Sequence, residues 1–130
     1  MIEITRTFDA PRERVWQAWT RPEELVRWWG KRGWTAQPDT VVMDVRPGGA
    51  FRVVTIHDED GREMVSEGVY DEVVEPERLS FGESTVTFTD LGDGRTRMDF
   101  RTSTHMDDTA VGGFNSALDR LQEQLTKEFR

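Results

Sequence analysis

Residues 107–129 read DDTAVGGFNSALDRLQEQLTKEF, and their spacing predicts the element around which the rest of the chain is arranged. Val111, Phe114, Leu118, Leu121, Leu125 and Phe129 recur at steps of three and four, which puts them on one face of a helix. Asp107, Asp108 and Thr109 are the residue types that cap a helix start, because a side-chain oxygen can accept an N–H that has no partner within the helix. A helix of about 20 residues extends roughly 30 Å. Gly112-Gly113 falls inside its first turns, where each glycine costs roughly 1 kcal/mol relative to alanine. Something must offset that cost. Close packing of the helix backbone on a sheet is one account, and a soft point at the mouth of a pocket is another.

Upstream, from about residue 40 to 103, the period changes to two. Val41, Met43 and Val45 alternate with polar residues, Pro47-Gly48-Gly49 reads as a turn, and Phe51, Val53 and Thr55 continue on one parity. HDEDGR at 57–62 contains Asp60-Gly61, a hairpin turn pair. A long strand is expected from Met64 to Val74, ended by Pro76-Glu77; both of its parities carry apolar residues, so its inner face stays open. Thr85–Thr89 and Thr96–Thr102 form a hairpin around Asp93-Gly94, with Val86, Phe88, Met98 and Phe100 inward. Consecutive strands joined by tight turns imply an antiparallel meander.

The N-terminal part begins with a strand over residues 2–8, in which Ile2, Ile4 and Phe8 share a parity with Arg6. Pro11 suits the first turn of a short helix over residues 11–19 that carries Val15, Trp16 and Trp19. A second helix starts near Pro22 with Glu23 and Glu24 in its first turn, carries Leu25, Trp28 and Trp29, and ends at Gly30. The order is one strand, two short helices, about six strands and one long helix. That is an α+β arrangement. A single long helix covers such a sheet only if the sheet curls around it, and curling leaves room between them unless large side chains occupy it.

Composition narrows the function. At 130 residues the chain has the length of a single domain, expected to span 1–130. Five Trp and seven Phe supply a core despite 32% charged residues. A net charge of −8 without any Lys/Arg stripe disfavours nucleic acid and anionic membrane surfaces. With no Cys, thiolate chemistry and disulfides are excluded. No stretch resembles a signal peptide or reaches the roughly 20 apolar residues of a membrane span, so a cytoplasmic location is expected.

Signals for chemistry are sparse. His57 in HDED and His105 in THMDD each lack a second His or Cys at ligand spacing, so no metal is expected. No Gly-x-Ser-x-Gly elbow activates a serine. Pro47-Gly48-Gly49 leads into a strand rather than a helix N-terminus, so it is no phosphate cradle. Charges on inward parity are the exception: Arg6, and Glu67 in one of the two registers of its strand. A buried charge needs a partner. Arg6 at a rim, or a bulge that shifts the register, is the plain reading; an Arg6–Glu67 pair, or either residue alone, orienting the polar end of a ligand is the functional one.

The opening ITRTFDAPRERVWQAWTRPEELVRWWG, the RPGGAF turn (Arg46 to Phe51), EGVYDEVVEPERLSF (Glu67 to Phe81) and the GGF…L..L helix (Gly112 to Leu121) together resemble one family. It is the family homologous to the C-terminal domain of the activator of the ninety-kilodalton heat-shock protein ATPase. That family belongs to the START-like, or SRPBCC, superfamily, with the birch-pollen allergen and the polyketide cyclases. The resemblance covers essentially the whole chain, with Phe114 where many relatives carry Trp. It implies a helix-grip fold: a curved antiparallel sheet around the C-terminal helix, two short helices after strand 1, and a cavity between sheet and helix.

Parity and family position together give the pocket candidates: Trp28, Trp29, Met43, Phe51, Phe88, Met98, Phe100, Phe114 and Leu118, with Arg6 and Glu67 as polar contacts. The expected function is non-catalytic binding of a small, largely hydrophobic molecule, with no cofactor and no catalytic residue. One alternative is a chaperone-associated or self-associating interaction protein, which predicts an exposed patch and a filled core. The other is a cyclase- or aromatase-like enzyme, which predicts an acid/base group in the pocket, with Arg6, Glu67 and Tyr70 tested first.

Overall fold

A computed structural model describes residues 2–128; Phe129, the last position of the helical stripe, lies outside the described residues with Met1 and Arg130. The strands are β1 (Ile2–Phe8), β2 (Trp34–Ala36), β3 (Val42–Met43), β4 (Ala50–His57), β5 (Glu63–Val74), β6 (Arg78–Phe81), β7 (Ser84–Gly92) and β8 (Arg95–Thr102). The α-helices are α1 (Arg12–Thr20), α2 (Pro22–Leu25) and α3 (Asp108–Glu128), with a 3₁₀ turn over Pro38–Thr40. The sheet runs β1-β8-β7-β6-β5-β4-β2, with β3 also paired to β4, and every pairing is antiparallel. The first strand therefore lies beside the last.

Local chemistry sets the helix ends. Pro11 is the residue before α1 rather than its first turn, and its carbonyl accepts the N–H of Val15. Pro22 opens α2, where a missing N–H goes unused. Only four residues of the second helix are regular, but turn hydrogen bonds continue to Trp29, and Gly30 at φ +97° reverses the chain. Asp107 caps α3, its Oδ1 accepting the Ala110 N–H at 2.8 Å.

The sheet departs from the sequence reading at several points, among them Arg78–Phe81, a strand between the Pro76-Glu77 break and the last hairpin that the sequence reading did not include. The strand expected across Val41, Met43 and Val45 is confined to Val42–Met43, and Trp34–Ala36 forms an edge strand too short for its alternation to show. The open parity of β5 has a physical cause: the strand uses both. Met64, Ser66, Gly68 and Tyr70 share the inner face up to Tyr70, and an irregularity between Tyr70 and Glu72 then turns Val73 inward opposite buried Leu79. An extra residue in one strand reverses the facing of everything after it. Glu67 accordingly points outward.

The Pro47-Gly48-Gly49 turn is tied to β5. Gly48 N–H donates to the Tyr70 carbonyl at 2.7 Å, and Tyr70 N–H donates to the Gly49 carbonyl at 2.9 Å. A Cβ on Gly49 would fall 1.9 Å from the Asp44 carbonyl oxygen, so only glycine fits there.

The core lies between the inner sheet face and the helices. Val86, Phe88, Met98 and Phe100 of the β7–β8 hairpin are buried against α1 and α3, as are Leu118, Leu121 and Leu125 of α3. Trp16 of α1 meets Phe88 edge-on at 5.9 Å.

Candidate functional site

A chain of rings occupies much of the space that curling creates. Trp19 packs edge-to-face on Trp28 at 4.9 Å, Trp28 on Trp29 at 5.6 Å, and Trp29 on Phe51 at 5.5 Å. Phe51 continues to Phe81 at 5.7 Å and to Tyr70 at 6.0 Å. Edge-to-face packing matches the positive ring edge to the negative face of its neighbour. Trp28 adds a hydrogen bond from Nε1 to the Ala18 carbonyl at 3.0 Å, which joins α1 to the turn after α2.

Beyond this cluster, between the first turns of α3 and strands β4 and β5, lies a cavity of about 410 Å³. Trp28, Trp29, Gly30 and Lys31 form one wall, Thr55, Met64 and Ser66 of the sheet another, and Met106, Asp107, Thr109, Ala110, Gly113, Phe114 and Ala117 the third. Trp28, Thr55 and Ala117 are buried at its base, while Met64, Asp107, Thr109 and Ala110 are exposed at its rim. The lining is predominantly apolar, within the size range and character of small-molecule sites.

Its walls are held by arginines. Arg120 of α3 donates to the Gly30 carbonyl at 3.0 Å and the Arg27 carbonyl at 3.1 Å, fixing the turn that presents Trp28 to Lys31. Arg32 pairs with Glu123 at 2.8 Å, and its backbone N–H donates to Ser116 Oγ at 3.1 Å. On the far side of the helix, Arg6 reaches Asp119 at 2.8 Å and the Asn115 carbonyl at 3.1 Å.

Three sequence-derived candidates, Trp28, Trp29 and Phe114, line the cavity. Phe51, Phe88, Met98, Phe100 and Leu118 are buried in the core instead, and Met43 packs at its margin. Their parity placed them inside, but inside here means against other rings. Arg6 is occupied as a clamp on α3 and does not line the cavity. Glu67 lies on the outer face, 3.6 Å from Arg52, because the inner register of β5 at that point is the even one. The proposed Arg6–Glu67 pair is therefore not formed.

Lining residues that sequence reasoning missed include Lys31, Met64, Met106 and Ala117. Ala117 follows Phe114 by three and Met64 shares a parity with Tyr70, so both had a positional signal. Met106, in the segment before α3, had none. Of the glycine pair, Gly113 lies at the cavity wall against the stem of Lys31, where an added Cβ would come within 3.2 Å of Cδ, while nothing lies within 4 Å of one on Gly112.

Groups with chemical potential lie elsewhere. Tyr70 is buried, its hydroxyl has no hydrogen-bond partner, and burial pushes its pKa above the ordinary 10.0. It does not line the cavity. His57 rests against Trp34, with ring centroids 5.0 Å apart, and its Nδ1 lies 3.2 Å from Asp60. Asp60 is held below the ordinary carboxylate range, first by the backbone N–H of Arg62. Among the described residues, no group of three or more His, Asp or Glu side chains is placed to share a metal ion, and no helix is long and apolar enough to cross a membrane.

A curled antiparallel sheet gripping one long C-terminal helix, with two short helices after the first strand, defines the helix-grip class of START-like domains. The chain belongs to the family of Activator of Hsp90 ATPase homolog 1-like proteins, whose family model matches residues 9–126. Its fold is shared by a crystal structure of a Chromobacterium violaceum protein, with a TM-score of 0.81 at 24% identity over 95% of this chain and 96% of that one. A Nitrosomonas europaea protein gives a TM-score of 0.83 at 22% identity, covering 98% and 94% of the two chains. The solution structure of an AHSA1-like protein from Aeromonas hydrophila gives 0.80 at 22% identity, again covering 98% and 94%. No curated protein matches the chain in sequence.

Proposed function

We propose that this protein binds a small, largely hydrophobic molecule, without catalysis, in the cavity between the sheet and the start of α3. The observation that carries this reading is the cavity of about 410 Å³ walled by Trp28, Trp29, Met106, Phe114 and Ala117. Side chains fill a protein interior to crystal-like density, and unfilled apolar space lowers stability. A ligand that takes up that space recovers the lost contacts. Met64 and Met106 suit such a role, since unbranched thioether chains adapt their shape to what they touch. The test is native mass spectrometry of freshly purified protein, combined with titration by naphthalene, a neutral apolar probe, followed by its fluorescence. A retained molecule or saturable naphthalene binding, lost in Ala117→Phe, is the expected result. A protein that retains nothing and leaves naphthalene in water refutes the reading.

The family name supplies a second reading, association with a chaperone ATPase. It is favoured by exposed Val42, Val65 and Val69 around the Arg52–Glu67 pair on the outer face of β3, β4 and β5. Adding the protein to Hsp90 and following ATP hydrolysis tests it: a rise abolished by Val65→Lys with Val69→Lys supports it, and an unchanged rate rejects it.

A further inference from the structure

We infer that the cavity selects an apolar molecule ending in a single negative charge, such as an alkanoic or arylalkanoic acid, whose carboxylate is met by Lys31. The inference rests on the binding function proposed above and specifies its ligand.

Lys31 lines a cavity whose other walls are mostly apolar. Its stem lies along α3, close enough that a Cβ on Gly113 would meet Lys31 Cδ at 3.2 Å and Cβ at 3.3 Å. The chain thus places a long cationic side chain against a helix position kept free of any side chain. Lys31 makes no ion pair among the described residues; its ammonium lies 5.5 Å from the centroid of the Trp34 ring. That is unusual company in a protein with net charge −8, where neighbouring Arg32 is paired with Glu123. An aromatic face holds a cation without neutralising it. The positive charge stays available to an incoming anion.

The opposite sign is less well served. Asp107 is the acidic residue in the lining, and its carboxylate is already engaged as the cap of α3, accepting the Ala110 N–H at 2.8 Å. A cationic ligand would have to compete with that cap and approach Lys31. Size limits the apolar part: at the roughly 30 Å³ that one water occupies in the liquid, the cavity accommodates about 14 non-hydrogen atoms. A ten-carbon acid is within that limit.

The experiment compares decanoate, decan-1-ol and decyltrimethylammonium by calorimetric titration, the ions below their micellar concentrations and the alcohol below its solubility limit, against the wild-type protein and Lys31→Met. Methionine keeps an unbranched apolar stem beside Gly113 and removes the charge. Expected is decanoate binding about tenfold tighter than decan-1-ol, with decyltrimethylammonium weakest. In Lys31→Met the preference for decanoate over decan-1-ol should vanish, with unchanged thermal unfolding reporting an intact fold. Equal affinity for acid and alcohol in the wild type, or a preference that survives Lys31→Met, overturns the charge selection and leaves the apolar site standing. Failure of all three probes to bind overturns both.

Discussion

Phe114 of α3 lies against Phe100 of β8 with ring centroids 4.4 Å apart and planes tilted by 31°, and the same Phe114 ring forms part of the cavity wall. One side chain thus anchors the start of the helix to the sheet and bounds the space beside it. Stability and site shape are coupled at this ring.

Phe114→Ala should therefore lower stability and enlarge the cavity together. The ring is half-buried, so the loss should be about 2–3 kcal/mol, at or below the low end for a fully buried phenylalanine. Urea denaturation measures it. A loss under about 1 kcal/mol would show that the Phe100 contact does not hold α3.

The two glycines of α3 should respond differently to alanine. Gly112 has nothing near its Cβ direction, so Gly112→Ala should stabilise by about 1 kcal/mol through helix propensity alone. At Gly113 the new methyl meets Lys31, and the gain should shrink or reverse. Paired thermal melts decide: equal gains at both positions would contradict the close approach.

Arg120 holds the cavity-forming turn through the backbone carbonyls of Gly30 and Arg27. Arg120→Met keeps much of the stem and should cost about 2 kcal/mol, the scale for hydrogen bonds made by a charged donor. Amide exchange in residues 26–34 should accelerate more than exchange in β7 and β8. Uniform acceleration across the protein would indicate global destabilisation and no special hold on the turn.

Tyr70 is the sole tyrosine, so tyrosinate absorbance reports on it directly. Burial favours the neutral phenol and raises its pKa above 10.0, and the folded state therefore retains a proton that the unfolded chain releases. Its contribution to stability is complete below pH 10 and lost as pH rises above that value. Native protein should titrate well above the denatured chain. Tyr70→Phe, which removes a buried hydroxyl without a partner, should be neutral or stabilising by up to about 1 kcal/mol at neutral pH and should flatten the alkaline loss. Coincident titration of native and denatured protein would place the hydroxyl in water.

Much of this architecture was legible because it is written in local periodicity. The Leu118, Leu121 and Leu125 stripe identifies α3, and Val86, Phe88, Met98 and Phe100 identify the inner face of the last hairpin, since helix and strand each repeat their facing at a fixed interval. The glycine after the two tryptophans marks the turn at Gly30 in the same way.

What periodicity cannot carry is which inward ring meets another ring and which meets open space. The sequence alone determined the order of the longer elements and much of the core, and its family resemblance implied the helix-grip arrangement. Only the tertiary structure decided that Phe51 and Phe88 pack into a continuous aromatic cluster while Trp29, Lys31 and Ala117 border a cavity, because that depends on contacts between segments distant in the chain. It also decided the fate of Arg6 and Glu67. A one-residue irregularity after Tyr70 admits both parities in β5, and the helix offers Asn115 and Asp119 to an arginine that its own strand would have left facing the core.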